Sequence, residues 1–238
     1  MTIIGIDVAK YQLNVNWDKV KNSDIKFAFC KATQGINYID PTFKYNWENI
    51  KRVGLIRGAY HFGNVDNDPI AEADFFVKAL VDSGNVVRGD MPVLDIEKIS
   101  TKIGKPFTDW VLTFLERVEL KIGIKPIVYT GGPYFNLQDG NPTPDTVSRL
   151  SRFPLWLAAY TNTPNKFIPD IWKNQGWTFW QSTGDVAPSG KQVLKLPGTN
   201  TIVDKNIFNG TIEELNSFAK NLCTSLTETF VDIYNKLA

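Results

Sequence analysis

The 238-residue sequence predicts an α/β fold, an irregular TIM-like barrel of eight strands and about five helices, followed by a C-terminal amphipathic helical tail. Three observations point there. Eight apolar segments of four to seven residues carry the β-branched and aromatic residues of buried strands. The first five are separated by stretches that look helical, and strands alternating with helices build a mostly parallel sheet. The length suits one α/β barrel.

The strands are expected over residues 3–8, 26–31, 56–62, 91–97, 126–129, 155–160, 178–181 and 201–204. Residues 40–53 form a helix, because Phe43, Trp47, Ile50 and Val53 fall at helical spacing and Gly54 supplies a stop. Residues 68–81 open with Asp-Pro, an N-cap followed by proline at the first helical position. Residues 107–120 place Trp110, Val111, Phe114, Leu115 and Val118 on one face. Beyond the fifth strand, 135–153 and 162–176 are rich in Pro, Asn and Gly and hold at most short helical pieces, and 185–200 reads as loop. Eight strands with five full βα units describe a barrel whose last third has lost its helices.

The division is a barrel over 1–209 and a helical extension over 210–238. In the extension Leu215, Phe218, Ala219, Leu222, Leu226, Phe230, Ile233 and Leu237 recur at spacings of three and four. It packs on the barrel, or makes a homodimer contact, or starts a linker.

A hydrophobic content of 43% excludes a disordered chain, and a net charge of +1 leaves no electrostatic footprint for nucleic acid. No run of 18 apolar residues suggests membrane insertion. The N-terminus enters a strand directly, without the basic and apolar regions of a signal peptide, so the expectation is a protein made in the cytoplasm. Cys30 and Cys223 are the only cysteines; Cys30 lies in an apolar run, as a buried free thiol does, and Cys/His zinc spacing is absent. No metal or cofactor is expected. His61 is the only histidine, so any Ser-His-Asp or Cys-His site would rest on it alone.

Catalytic groups of a parallel barrel sit at the C-terminal ends of its strands. Strand 1 ends near Asp7, strand 4 at Asp95-Ile96-Glu97 and strand 8 at Asp204. Asp95 and Glu97 share one strand face, where mutual repulsion and partial desolvation raise their pKa values and set them apart. Four carboxylates then converge on one mouth, with Lys31 as the one nearby cation. Such a mouth suits glycosidic cleavage by paired carboxyls or a divalent metal. Tyr60, Tyr129, Trp156, Tyr160 and Trp180 fall at or near strand ends, and flat aromatic faces among carboxylates favour a sugar cleft.

Read in order, Gly5-Ile6-Asp7-Val8, Phe29-Cys30-Lys31-Ala32-Thr33-Gln34-Gly35, Gly58-Ala59-Tyr60-His61-Phe62, Leu94-Asp95-Ile96-Glu97, Pro154-Leu155-Trp156-Leu157-Ala158, Phe179-Trp180-Gln181 and Val203-Asp204-Lys205-Asn206 resemble the glycoside hydrolase family 25 lysozymes, the Chalaropsis-type muramidases. Each motif is weak alone; the ordered set, covering about residues 3–208, is specific. The resemblance implies an irregular eight-stranded barrel with five helices. It also implies hydrolysis of the β-1,4 bond between N-acetylmuramic acid and N-acetylglucosamine in bacterial peptidoglycan, with retention. On the matching positions, Glu97 takes the role of general acid/base, Asp95 that of the second acid of the pair, and Asp7 and Asp204 those of the remaining cleft acids. Lys31, Tyr60, Tyr129, Trp156, Tyr160 and Trp180 line the glycan groove, and His61 is structural.

The competing readings are a metal-dependent hydrolase, a family 18 chitinase, which would want a longer acidic run before Glu97, and a non-catalytic glycan-binding module on the same barrel. The expected setting is a phage endolysin acting on the wall after release, with a bacterial autolysin or secreted toxin as alternative.

Overall fold

A computed structural model describes residues 2–184 and 194–224. Most of the expected loop over 185–200, and Leu226, Phe230, Ile233 and Leu237 of the tail, lie outside the described residues.

The strands are β1 (Ile3–Val8), β2 (Ile25–Gln34), β3 (Tyr38–Ile39), β4 (Ile56–Phe62), β5 (Met91–Asp95), β6 (Ile127–Gly131), β7 (Leu155–Ala158), β8 (Phe179–Thr183) and β9 (Asp204–Phe208). Hydrogen bonding runs β1-β9-β8-β7-β6-β5-β4-β2, and β1 also pairs with β2, which closes a ring of eight. β3 lies outside that ring, a short antiparallel partner to the end of β2. From β1 through β2 and β4 to β8 the pairings are parallel, as the strand–helix alternation requires.

The helices are α1 (Trp17–Lys21), α2 (Phe43–Arg52), α3 (Pro69–Asp82), α4 (Lys105–Ile122), α5 (Gly132–Asp139), α6 (Pro144–Ser151) and α7 (Ile212–Asn221). Asp68 caps α3 by accepting from the Ile70 amide, with Pro69 in the first turn. α4 stops at Gly123, whose φ of 62° is the left-handed conformation that terminates helices. The expectation of about five helices misses α1, whose five residues are too few to display a period. α5 and α6 are the short pieces expected after the fifth strand.

β9 departs from expectation. The eighth strand was expected over 201–204, parallel to its neighbours and ending at Asp204. It begins at Asp204 and runs antiparallel to both β1 and β8. Val203, the apolar residue that suggested the earlier span, pairs only through an isolated bridge to Leu194. β2 is likewise longer than expected, running past Lys31 through an irregularity between Lys31 and Thr33.

Large side chains fill the barrel. Phe179 packs against both Phe27 (5.1 Å between centroids) and Phe29 (5.3 Å), and Phe29 stacks at 4.2 Å on Trp156. Gly5 and Gly58 supply the room: a Cβ at Gly5 would overlap the Phe27 ring, and one at Gly58 would overlap Phe29 and lie 2.8 Å from the Met91 carbonyl oxygen. Below the barrel, Arg57 forks onto Asp90 (2.7 and 2.8 Å), and both are buried. In the extension, Leu215, Ala219 and Leu222 are buried, and Phe218 packs on Phe179 and Phe208. Residues 210–224 therefore cover the barrel.

Gly58→Ala is expected to destabilise the protein by about 2 kcal/mol, because neither the Phe29 ring nor the Met91 backbone can move aside cheaply. Urea unfolding should show a lower midpoint at unchanged slope; an unchanged midpoint would contradict the packing described.

Candidate active site

The aromatic plug is the floor of the site. Trp156 sits on it, buried, and donates through Nε1 to Asn206 Oδ1 (2.8 Å). Tyr129 meets Trp156 edge-on at 4.6 Å and Tyr60 meets it at 6.5 Å. Above them opens a cleft of about 540 Å³ whose lining includes Asp7, Asp95, Glu97 and Asp204.

Strand alternation aims these groups. Asp7 on β1 and Asp95 on β5 are buried inward-facing residues. Ile96 continues the β5 line just past the strand: its amide donates to the Tyr129 carbonyl (3.0 Å), and its carbonyl accepts from Thr130 Oγ1 (2.8 Å). Glu97 follows at the exposed lip. Asp204 reaches the same mouth from the opposite chain direction, since Asp7 and Asp204 are direct partners across the β1–β9 ladder.

Two uncharged residues that strand-end mapping passed over tie the acids together. Gln181 Nε2 donates to Asp7 Oδ2 (3.0 Å) and Asp204 Oδ2 (3.3 Å). Its Oε1 accepts from the hydroxyls of Tyr129 (2.8 Å) and Tyr160 (3.0 Å). Asn206 Nδ2 also donates to Asp7 Oδ2 (2.7 Å). The period of two could have found both, because Gln181 follows inward-facing Phe179 and Asn206 follows Asp204.

The electrostatics divide the acids. Burial raises the Asp95 carboxyl well above the ordinary carboxylate range; Glu97 and Asp7 push it further, and Lys31 opposes them. Asp95 Oδ1 is buried with no hydrogen-bond partner. Glu97 is raised too, first by loss of water from its cleft-facing side and then by Asp7, again opposed by Lys31. Lys31 is itself lowered by its partial burial. Burial raises the Tyr60 and Tyr129 hydroxyls far beyond any working pH, so they stay protonated donors.

Of the expected groove residues, Lys31, Tyr60, Tyr129, Trp156 and Tyr160 line the cleft. Trp180 does not: it alternates with the inward-facing Phe179 and Gln181, donates to the Ala159 carbonyl (2.6 Å) and packs beside Trp177. His61 also points away, buried between Thr33 Oγ1 and Glu72 Oε2, each at 2.8 Å. Among the described residues, no group of three or more His, Cys, Asp or Glu side chains is arranged to hold a metal ion.

Asp95→Asn is expected to stabilise the fold at neutral pH. An acid whose folded pKa exceeds its unfolded value binds more protons when folded, so its cost is absent below about pH 4 and full above the folded pKa. The melting temperature at pH 7 should rise by roughly 2–4 °C, and the gain should fade as the pH falls towards 4. A loss of stability at pH 7 would refute the raised carboxyl.

Residues 6–190 match the family Glycosyl hydrolases family 25. The chain is 33% identical over 229 residues to the uncharacterized protein YegX of Escherichia coli K12, covering 93% of this chain and 75% of that protein. It is 31% identical over 233 residues to Lysozyme M1 of Streptomyces globisporus, covering 91% of this chain and 71% of that protein. The crystal structure of the bacterial lysozyme from Streptomyces coelicolor superposes with a TM-score of 0.79 at 28% identity, over 93% of this chain and 99% of that one.

Proposed function

The chain belongs to glycosyl hydrolase family 25, and from that premise we propose that it is a lysozyme hydrolysing the β-1,4 bond between N-acetylmuramic acid and N-acetylglucosamine in bacterial peptidoglycan. The observation that carries this reading is the Asp95/Glu97 pair above an aromatic floor, with both carboxyls raised and only one of them open to solvent. A glycosidase needs one carboxyl that is protonated at the pH where its partner group works.

Glu97, at the open lip, protonates the glycosidic oxygen as the bond breaks and afterwards activates water. Positive charge grows at the anomeric carbon, and the carboxylates of Asp7 and Asp204, oriented by Gln181, face it from below. Asp95, which lines the cleft, is suited to accept the N–H of the muramic N-acetyl group. That contact aims the acetyl oxygen at the anomeric carbon from within the substrate. This favours a substrate-assisted second step with retention over a covalent glycosyl-enzyme. Tyr60, Tyr129, Trp156 and Tyr160 bound the groove, with Lys31 among the acids. Trp180 would serve the glycan only from outside this cleft.

The same residues support catalysis over a non-catalytic glycan-binding module, since all four acids are present. Catalysis by these carboxyls needs no metal or cofactor. The barrel over 1–209 is the catalytic unit, with residues 210–224 packed on it. A homodimer through the extension would have to leave Leu215, Ala219 and Leu222 on the barrel, where they are buried. We take phage-induced host lysis as the setting, with autolysis of the producing cell as the competing reading. Lysis on cytoplasmic expression that depends on a co-expressed membrane pore would support the first.

Glu97→Gln is expected to lower reducing-end release from purified peptidoglycan by at least about a thousandfold without lowering the melting temperature, while chitin stays uncut by either protein and EDTA leaves the rate unchanged. Near-normal turnover by Glu97→Gln would overturn the assignment.

Gln181→Leu, which leaves Tyr129, Tyr160, Asp7 and Asp204 without their shared amide, should lower kcat about a hundredfold with a smaller change in KM. Steady-state rates on soluble glycan fragments check it.

A further inference from the structure

A second cavity of about 540 Å³ adjoins the cleft and shares Tyr11, Lys31, Gln34 and Phe62 with it. Its character is opposite. Three lysines line it: Lys31 on the shared wall, Lys10 after β1 and Lys98 just past Glu97. Lys31 is the one lysine or arginine that lines the acidic cleft itself; Lys10, at the start of the 3-10 turn Lys10–Gln12, and Lys98, on a loop, join it only in this second cavity. Among the described residues none of the three forms an ion pair. Lys31 Nζ donates to Gln34 Oε1 (2.8 Å), Lys98 Nζ to Asn64 Oδ1 (3.1 Å), and Lys10 Nζ lies over the rings of Tyr11 and Tyr38.

The one acid in the lining, Asp40, is buried and already used. Its Oδ2 accepts from the Lys10 amide (3.1 Å), and its Oδ1 accepts from the amide and hydroxyl of Thr42 (2.9 and 2.6 Å). The far wall is built rather than incidental. Buried Glu72 accepts from the Asn64 amide (3.0 Å) and from Asn67 Nδ2 (2.5 Å), and is itself held by His61 Nε2 (2.8 Å). His61, without a part in the chemistry, thus fixes the loop that faces these lysines.

A cationic, prearranged cavity beside a glycan cleft has no use for neutral sugars. In the repeating unit of peptidoglycan the lactyl carboxyl of muramic acid is consumed in the amide to the peptide, so the free carboxylates are those of the peptide stem. We propose that the cavity formed by Lys10, Lys31 and Lys98 binds the carboxylates of the stem carried by the muramic residue held in the cleft, making this lysozyme selective for peptide-bearing strands with free stem carboxyls. The proposal rests on the muramidase reading and adds a specificity to it.

The test uses soluble glycan fragments carrying tetrapeptide stems, with stem carboxyls either free or converted to primary amides. For the unmodified protein, kcat/KM should be about fivefold higher on the free-acid fragment, the difference lying in KM and shrinking as salt rises from about 0.05 to about 0.3 M. K10Q/K98Q should lose that preference while keeping its rate on the amidated fragment; K98Q alone, at an exposed position, should lose part of it. Equal rates of the unmodified protein on both fragments would overturn the proposal. So would a double variant slowed by the same factor on both, which would mark a neutral sugar subsite. If neither fragment is cut, the muramidase reading fails, and calorimetric titration of E97Q still decides the cavity: tighter binding of the free-acid fragment supports it, equal binding overturns it.

Discussion

Everything in the site depends on how the barrel closes. Seven strands of the ring run in one direction, and the gap between β1 and β8 is filled by a strand running the other way. That reversal brings the start of β9 to the mouth, so Asp204 and Asn206 stand among the ends of β1 and β8. Asp204 is registered opposite Asp7, and Asn206 opposite Gln181. A parallel strand in the same gap would present its last residues there and leave these polar groups at the closed end. The shared amide of Gln181, the tether between Asn206 and Trp156, and the pairing of Asp7 with Asp204 all follow from this single direction of travel.

The site is held against its own electrostatics. Asp95 and Glu97 lose water, are pushed up by the like charges around them, Asp7 among them, and gain only Lys31 in return. The rest of the molecule supplies the offset. Aromatic rings pack the barrel beneath the acids, each burying large apolar area. At the opposite end the buried Arg57–Asp90 fork also satisfies the Trp47 and Asn85 carbonyls. The α3–α4 side is stitched by the His61–Glu72 contact. Stability and chemistry therefore occupy different layers, the usual division in barrels of this kind.

Much of the fold was legible because period and punctuation are local. β1, β4 and β7 begin where their apolar runs begin, and α3 starts at its Asp-Pro signal. Of the acids, Asp7, Asp95 and Glu97 could be read from strand ends, whereas Asp204 was reached by a mistaken route: it opens its strand instead of closing it. Strand direction in the last position is a matter of long-range pairing, which no local pattern records. Trp180 lies near a strand end, but the alternation that hides Phe179 turns its neighbour outward. Gln181 and Asn206 carry no charge and no ring, so nothing in their residue type marks them as the two that connect the others. Lys10 opens a three-residue 3-10 turn and Lys98 lies on a loop, both too short or irregular for a periodicity that would reveal which surface they share.

The Gln181 amide also sets a direction. Both of its N–H bonds point at carboxylates and its oxygen faces two phenols, so turning it over would set oxygen against oxygen on one side. The hydroxyl hydrogens of Tyr129 and Tyr160 are thereby spent on Gln181, and what those phenols have left to offer an incoming hydroxyl or amide is lone pairs. The polarity of the groove wall is thus dictated by the carboxyl oxygens of Asp7 and Asp204, two bonds of the network away. Replacing those acceptors would rewrite which groups the wall can greet.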